Sequence, residues 1–381
     1  MTPQERYLTA LRGEKPDQVP VSLSIGPSNT RRWLGREDWR AVLEAHEIVG
    51  SIPAQDFGLD YFTTDTNPIF NVNWPSGWAE TTQTRPIPGS KGGKIKTRTI
   101  TTPTGILTSQ ERLDLREYIH GQTLEPLIKS RSDYKVYISY IIQWLESVEI
   151  SDTSDSAGGI EEILADAGVW VTWNIHSFYQ YFWVLRRVEE FLIDFYDDPG
   201  LMKEVMEMTW KLNEKYIQVF NASSSPLLIC NLSGASTSII SPEFFREWIL
   251  PELEWMTQSL SPEKSIGFHL TGKVRALLPY LLEAKPDTIL RFESPRFGGD
   301  ISLKEVKDRF GDKICIMGGF DPHVYVLGDR EDIRLETKRC IDEAAAGGGY
   351  ILANTDHIPE EAELDDVKYM VDVAKEYGRY E

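Results

Sequence analysis

Residues 265–295 read SIGFHLTGKVRALLPYLLEAKPDTILRFESP, and this stretch decides the fold class. A strand-like run ends on His269, Thr271 and Gly272 lead out of it, and Leu277, Leu278, Leu281 and Leu282 then recur at helical spacing. A second apolar run, Thr288 to Phe292, ends on Glu293. Two successive strand–helix units, each placing an ionisable group at the carboxyl end of its strand, predict a parallel α/β structure with chemistry at its rim. His269 is the anchor of that expected site.

Working outward, strand-like segments begin near 18, 59, 169, 226, 265, 288, 313 and 350, with helical connections between them. Eight in this order predict a (β/α)8 barrel, a TIM-type fold, rather than an open doubly wound sheet, and a single domain over 1–381. Thr2-Pro3-Gln4-Glu5 predicts a capped first helix, residues 18–25 the first strand, and residues 124–147 a long helix. From 71 to 113 the character changes: WPSGW, PIPGS and KGG punctuate β-branched runs such as KIKTRTITT, which predicts a β-rich insertion of antiparallel hairpins. Its Trp74 and Trp78 would either line a pocket or fill the insertion's own core. The glycines at 347–349 precede a strand instead of joining strand to helix, so no dinucleotide or phosphate loop is read.

Acidic residues outnumber Lys plus Arg by 59 to 40, a formal charge of -19, which argues against a nucleic-acid backbone or an anionic membrane as partner. Cys230, Cys315 and Cys340 lack paired metal spacing and are expected as buried free thiols in a reducing compartment. The opening MTPQERYLTALRGEKPDQVPV has no apolar signal core, and no run of about 18 apolar residues occurs, so a cytoplasmic protein is expected.

The carboxyl ends of the expected strands carry His176, Asn231, His269, Glu293, Asp321 with His323, and Asp356 with His357. In a barrel these ends converge on one mouth. Histidines and carboxylates gathered there suit a divalent metal or acid–base work, whereas each alone would equally serve as a structural hydrogen-bonder. Gly318 and Gly319 would let a ligand approach closely or ease a tight turn.

Several stretches also carry a family resemblance. TPQERYLTALRGEKPDQVPV, ISPEFFREWILPEL, HLTGKVRALLPYLLEAKPD, GDKICIMGGFDP and GGGYILANTDHIPEEAELDDVKYMVDVAKEYG, in that order, resemble the uroporphyrinogen decarboxylase superfamily. The resemblance implies a (β/α)8 barrel and two functional branches. True decarboxylases carry an Arg-Gln-Ala-Gly-Arg motif after the first strand. Here that place reads SIGPSNTRRWLG, with Arg31 and Arg32 nearby but out of pattern. The corrinoid-dependent methyltransferase branch, to which the chain looks more similar, holds zinc with a His-x-Cys pair and a last-strand cysteine. This sequence keeps the histidine as His269, has Thr271 for the first cysteine, and places Asp356 at about the second.

The resemblance therefore implies methyl transfer between a small methylated donor, of the O-methyl class, and the cobalt of a corrinoid supplied by a separate corrinoid protein. The abundant tryptophans would also suit an aromatic or methylated-ammonium donor. The implied catalytic residues are His269, Asp356 and His357, with Asn231 and Asp321 at the cofactor. A harder zinc site would use His269, Glu293 and Asp356 to polarise an oxygen leaving group. The alternatives are a metal-free enzyme with Asp356 and His357 as its acid–base couple, a decarboxylase of the family type, and a non-catalytic tetrapyrrole or corrinoid binder.

Overall fold

In the computed structural model, which describes residues 1–54, 58–60, 70–90, 93–113, 122–150 and 172–380, the capping pattern at the N-terminus forms as its chemistry requires. The Glu5 N–H donates to Thr2 Oγ1 at 3.1 Å and the Thr2 N–H to Glu5 Oε2 at 2.8 Å, fixing the start of helix Pro3–Leu11.

The strands in chain order are β1 Gly58–Asp60, β2 Phe70–Val72, β3 Ala79–Pro86, β4 Lys94–Thr102, β5 Gly105–Leu113, β6 Gln122–Glu125, β7 Val148–Ile150, β8 Thr172–His176, β9 Leu227–Asn231, β10 Ser265–His269, β11 Thr288–Phe292, β12 Cys315–Phe320 and β13 Tyr350–Asn354. The chain divides into two compact units. One comprises Met1–Asp60, Ile160–Ile175 and Phe220–Glu381, the other Tyr61–Gly159 and His176–Val219.

The first unit is built on a seven-stranded sheet in the order β1-β8-β9-β10-β11-β12-β13. Every register recorded within it is parallel, and helices such as Leu303–Phe310 and Arg330–Ala344 supply the crossovers. It is an α/β fold with a parallel sheet. Leu227, Ile229, Leu290, Cys315, Met317, Ile351 and Ala353 are alternate positions on one face, and they cluster with Tyr7, Ala10 and Leu11 of the first helix. The intervening residues Leu228, Cys230, Ile266, Phe268, Ile289, Ile316, Tyr350 and Leu352 are buried as well. Burial on both faces is why these strands read as continuous apolar runs, each large side chain contributing about 1.5–3 kcal/mol. All three cysteines are free and buried.

The stretch expected as a first strand over 18–25 is not a regular strand. Its bonds to β13 are the Leu352 N–H to Pro20 O and the Ser22 N–H to Leu352 O, both 2.9 Å, while the Ile52 N–H donates to Val21 O at 2.8 Å. Pro20 has no N–H to extend the ladder. Most of the strand expected from 59, read as Leu59–Asp65, and the start of the one expected from 169 lie outside the described residues.

In the second unit β3, β4, β5 and β6 form an antiparallel sheet, and β2 pairs with β7. The helix expected from 124 starts later, at Arg131, because residues 122–125 join this sheet as β6 and Pro126 interrupts the backbone pattern. Trp74 stacks on Tyr140 at 5.2 Å, so it packs within its own unit. No helix among the described residues is long and apolar enough to cross a membrane.

Candidate functional site

At the carboxyl ends of the parallel strands, His269 and Asn231 are register partners on β10 and β9. Residues paired in register point to the same face, here the one that carries Ile229 and Leu290. Asn231 Oδ1 accepts from the Ser233 N–H at 2.9 Å and from the Ser233 hydroxyl. Thr271, at the position where the resembling enzymes have a thiolate, donates its hydroxyl to Ser233 O at 2.8 Å. It fastens one strand-end loop to the next.

β11 departs from regular pairing just before the rim. Leu290 faces Met317 but Phe292 faces Gly318, so Arg291 is an extra residue, and its φ is +63°. A left-handed non-glycine residue costs on the order of 1–3 kcal/mol and persists only where its surroundings enforce it. Phe292 opposite Gly318 is the last recorded pair of β11, and Glu293 follows it out of the strand.

Glu293 Oε2 accepts from the Gly272 N–H at 3.0 Å. Burial raises the pKa of this carboxyl, the Gly272 N–H lowers it, and the neighbouring Asp356 charge raises it again, with a net upward shift. The loop then folds back tightly: a Cβ at Gly299 would stand 1.9 Å from Glu293 O, so only glycine fits there.

Arg291 reaches to the far side of β12 and β13. Its Nη1 is 3.5 Å from Asp356 Oδ1 and its Nη2 is 3.4 Å from Ser24 Oγ. Both are at the outer limit of hydrogen bonding. The Arg291 side chain is 13 % exposed and that of Asp356 70 %. Ser24 Oγ in turn lies 2.9 Å from His357 Nδ1, and Asp356 Oδ1 accepts the His357 N–H at 2.7 Å. Asp356, His357, Ser24 and Arg291 are therefore one connected group, with Glu293 coupled to it through the Asp356 charge.

Asp321 turns elsewhere. Its Oδ1 accepts the His323 N–H at 3.0 Å and faces His323 Nδ1 at 2.9 Å, while the exposed His323 ring stacks on Phe297 at 5.6 Å. Its Oδ2 is buried with no hydrogen-bond partner among the described residues. Gly319 has a packing reason for lacking a side chain, since a Cβ there would meet Leu303 Cδ2 at 2.6 Å. His176 falls in the second unit, where its carbonyl accepts from Asn213 Nδ2 at 3.1 Å. Arg31 pairs with Glu37 and Glu360 and Arg32 with Glu363, all in partly exposed ion pairs.

A zinc ion needs three or four converging donors. Among the described residues there is no group of three or more His, Cys, Asp or Glu side chains that could hold a metal ion. A guanidinium already faces Asp356, and burial favours the neutral form of Glu293. The donor set does not fit, and no step below runs through a metal. A cavity of about 760 Å³ opens at the amino ends of β11 and β12, lined by Arg12, Lys285, Lys307 and Cys315 among others. None of the strand-end groups lines it, and in parallel α/β folds the chemistry sits at the opposite ends.

Arg291 and Ser24 are the functional candidates that sequence reasoning missed. The signal for Arg291 was a cation inside the apolar run TILRF. Ser24 carried none.

Two solved structures are similar to this chain over most of its length. A methyltransferase from Methanosarcina mazei is similar over 99% of this chain and 99% of its own, at 17% identity and a TM-score of 0.63. A B12-independent methionine synthase from Shewanella sp. W3-18-1, in complex with selenomethionine, is similar over 94% of this chain and 97% of its own, at 10% identity and a TM-score of 0.49. No curated protein matches. Residues 183–377, half of the chain, match the profile of the family described as uroporphyrinogen decarboxylase (URO-D). The chain belongs to the uroporphyrinogen decarboxylase family.

Proposed function

We propose that this chain is an enzyme of methyl transfer: it strips the methyl group from a small O-methyl donor, and Glu293 protonates the oxygen left behind. The sheet in this reading closes into a (β/α)8 barrel, with residues 20–22 completing the ring between β13 and the segment at Ile52. The bonds from Val21, Ser22 and Pro20 to both neighbours support that closure. So does the reach of Arg291 to Ser24.

The reading rests on one observation, a half-buried carboxyl of raised pKa that accepts from the Gly272 N–H, three residues beyond His269. An ether oxygen leaves poorly as an alkoxide, and a positioned acid lowers that barrier, typically by 10²–10⁴-fold in rate. The C–O bond breaks as the methyl passes to the acceptor, the oxygen takes the Glu293 proton, and the glutamate is left ionised. A corrinoid carried by a separate protein would supply a cobalt nucleophile for the methyl group. The exposed positions of Asp356 and His323 fit an acceptor presented from outside. Asn231 is assigned to that acceptor and His269 to the donor oxygen. Asp321 acts only through His323, and Asp356 with His357 sets the charge beside Glu293. The similarity to a methyltransferase fold raises the prior and is analogy. Decarboxylation is the weaker reading, because Arg31 and Arg32 are engaged by surface glutamates.

The test is the spectrum of free cob(I)alamin mixed with protein and O-methyl donors. Methylation is expected in the wild type, slowed about 100-fold in Glu293→Gln. A corrin spectrum that shifts on binding with no turnover for any donor, or a Glu293→Gln rate equal to wild type, would overturn the proposal.

A further inference from the structure

The cavity of about 760 Å³ at the amino ends of β11 and β12 takes no part in the chemistry assigned to the opposite ends of these strands. It is large enough for a small organic ligand. Arg12, Lys285, Lys307 and Lys313 line it, against two carboxylates, Asp287 and Asp312. This local excess of positive charge stands in a chain whose formal charge is -19, where a cation readily finds a carboxylate: Arg275 and Arg309 pair with Glu305, and Lys304 with Asp308. Around the cavity the pairing stops. Arg12, Lys285 and Lys313 make no ion pair or side-chain hydrogen bond among the described residues, and Asp287 Oδ2 is taken by the Ile266 N–H at 2.8 Å.

Arg12 follows helix Pro3–Leu11, Lys285 follows Leu278–Glu283 and Lys313 follows Leu303–Phe310. Basic residues past a helix end complement its negative pole, chiefly by bonding the last carbonyls. Lys307 does reach a carbonyl, that of Gly348 at 2.5 Å, whereas the other three reach none. Lys285 is also held at φ +53° just beyond its helix, a position where glycine is the usual residue, so its side chain is kept there against backbone strain. Burial holds the pKa of Lys307 below the ordinary lysine value, which an anion beside it would reverse.

We propose that this cavity binds a small organic polyanion, one carrying phosphate or several carboxylates, as a second site separate from the rim. The cations come from four different segments of the chain, so they match a ligand with several charged oxygens better than a single carboxylate. Leu11, Leu282 and Ile314 offer apolar wall to its organic body. The site lies within the first unit, and its occupation does not depend on the methyl-transfer reading. A ligand seated there ties the end of the first helix to the loops before β11 and β12, so binding should stabilise the folded chain.

Binding is measured on the full chain by calorimetry at constant ionic strength, with inorganic pyrophosphate and with citrate. Saturable binding of at least one is expected, weakened at least about tenfold in the double variant Arg12→Gln/Lys285→Gln, and the tighter of the two names the charged group. Arg334→Gln/Lys368→Gln removes the same charge from surface ion pairs on other helices and should leave binding within about twofold of wild type. The bound anion should also raise Tm in the wild type and in that control, but not in the cavity variant. Arg12 and Lys285 are exposed, so the cavity variant is expected to fold, which circular dichroism checks; Lys313→Gln, with a loss of at least about threefold, takes its place otherwise. Failure of both anions to bind at up to about 10 mM, or equal weakening in the cavity variant and the control, would overturn the proposal.

Discussion

Two arginine–carboxylate groups, one in each unit, are made of the same residue types and differ in how deeply the carboxylate is buried. In the second unit Asp194 is buried and its carboxylate accepts from three side chains: Arg186 Nε at 2.6 Å, Arg131 Nε at 3.0 Å and the Tyr134 hydroxyl at 3.1 Å. Arg186 is itself only 7 % exposed and also reaches Glu190 at 3.0 Å. Both carboxylate oxygens of Asp194 accept hydrogen bonds there. At the rim of the parallel sheet, the contacts of Arg291 include one to the exposed Asp356 at 3.5 Å and one to the Ser24 hydroxyl at 3.4 Å. Removing one partner from a buried ion pair strands a charge without water, whereas an exposed carboxylate such as Asp356 is solvated with or without its pair.

The sharpest way to break this contrast is to cut both groups at the carboxylate. Asp194→Ala leaves a buried guanidinium without its main partner, and a loss of about 3–5 kcal/mol in urea unfolding is expected. Asp356→Asn removes an exposed partner and should change stability by less than about 1 kcal/mol. Equal losses in the two variants would show that the rim pair is structural after all.

The next effect is on rate. Glu293→Gln keeps the shape of the side chain and can still accept from the Gly272 N–H, but it cannot give up a proton. A fall in kcat of about 100-fold, equivalent to about 2.7 kcal/mol, is expected with little change in KM. In the wild type kcat should decline as pH rises through the elevated Glu293 pKa, because the proton donor is then lost. That alkaline limb should be absent from the residual activity of the variant.

How much of this could be read beforehand follows from the range of the interactions. The capping box at Thr2, the apolar strands and the ionisable strand ends were legible because local spacing sets them. His269, Glu293 and Asp356 could be placed at carboxyl ends by counting. Their grouping could not. The Arg291 contacts join residues 65 and 267 positions apart, and they depend on a register shift that no local pattern announces. The expected first strand failed for a local reason that was visible, the missing N–H of Pro20. Residue types at strand ends likewise say nothing about a guanidinium from β11 facing Asp356.

Glu293 offers a thermodynamic check that needs no substrate. Its folded pKa is raised above the unfolded value, so its contribution to stability is fully present below the unfolded pKa and is lost as pH rises through the folded one. Unfolding free energies of the wild type and Glu293→Gln should therefore converge in acid, with the variant becoming the more stable of the two above the elevated pKa. A difference that did not vary with pH would mean that the carboxyl titrates normally and is no proton reservoir.

The smallest expected effect is the most discriminating for the rim. Arg291→Gly removes the left-handed strain at φ +63°, worth on the order of 1–3 kcal/mol. It also gives up the contacts of the guanidinium, those to Asp356 and Ser24 among them, and adds about 0.5–1 kcal/mol of backbone entropy to the unfolded chain. These oppose each other, so a change in Tm much smaller than that of Asp194→Ala is expected, measured by thermal unfolding of both variants side by side. If Arg291→Gly instead destabilises the chain as Asp194→Ala does, the rim guanidinium is as structural as the buried one.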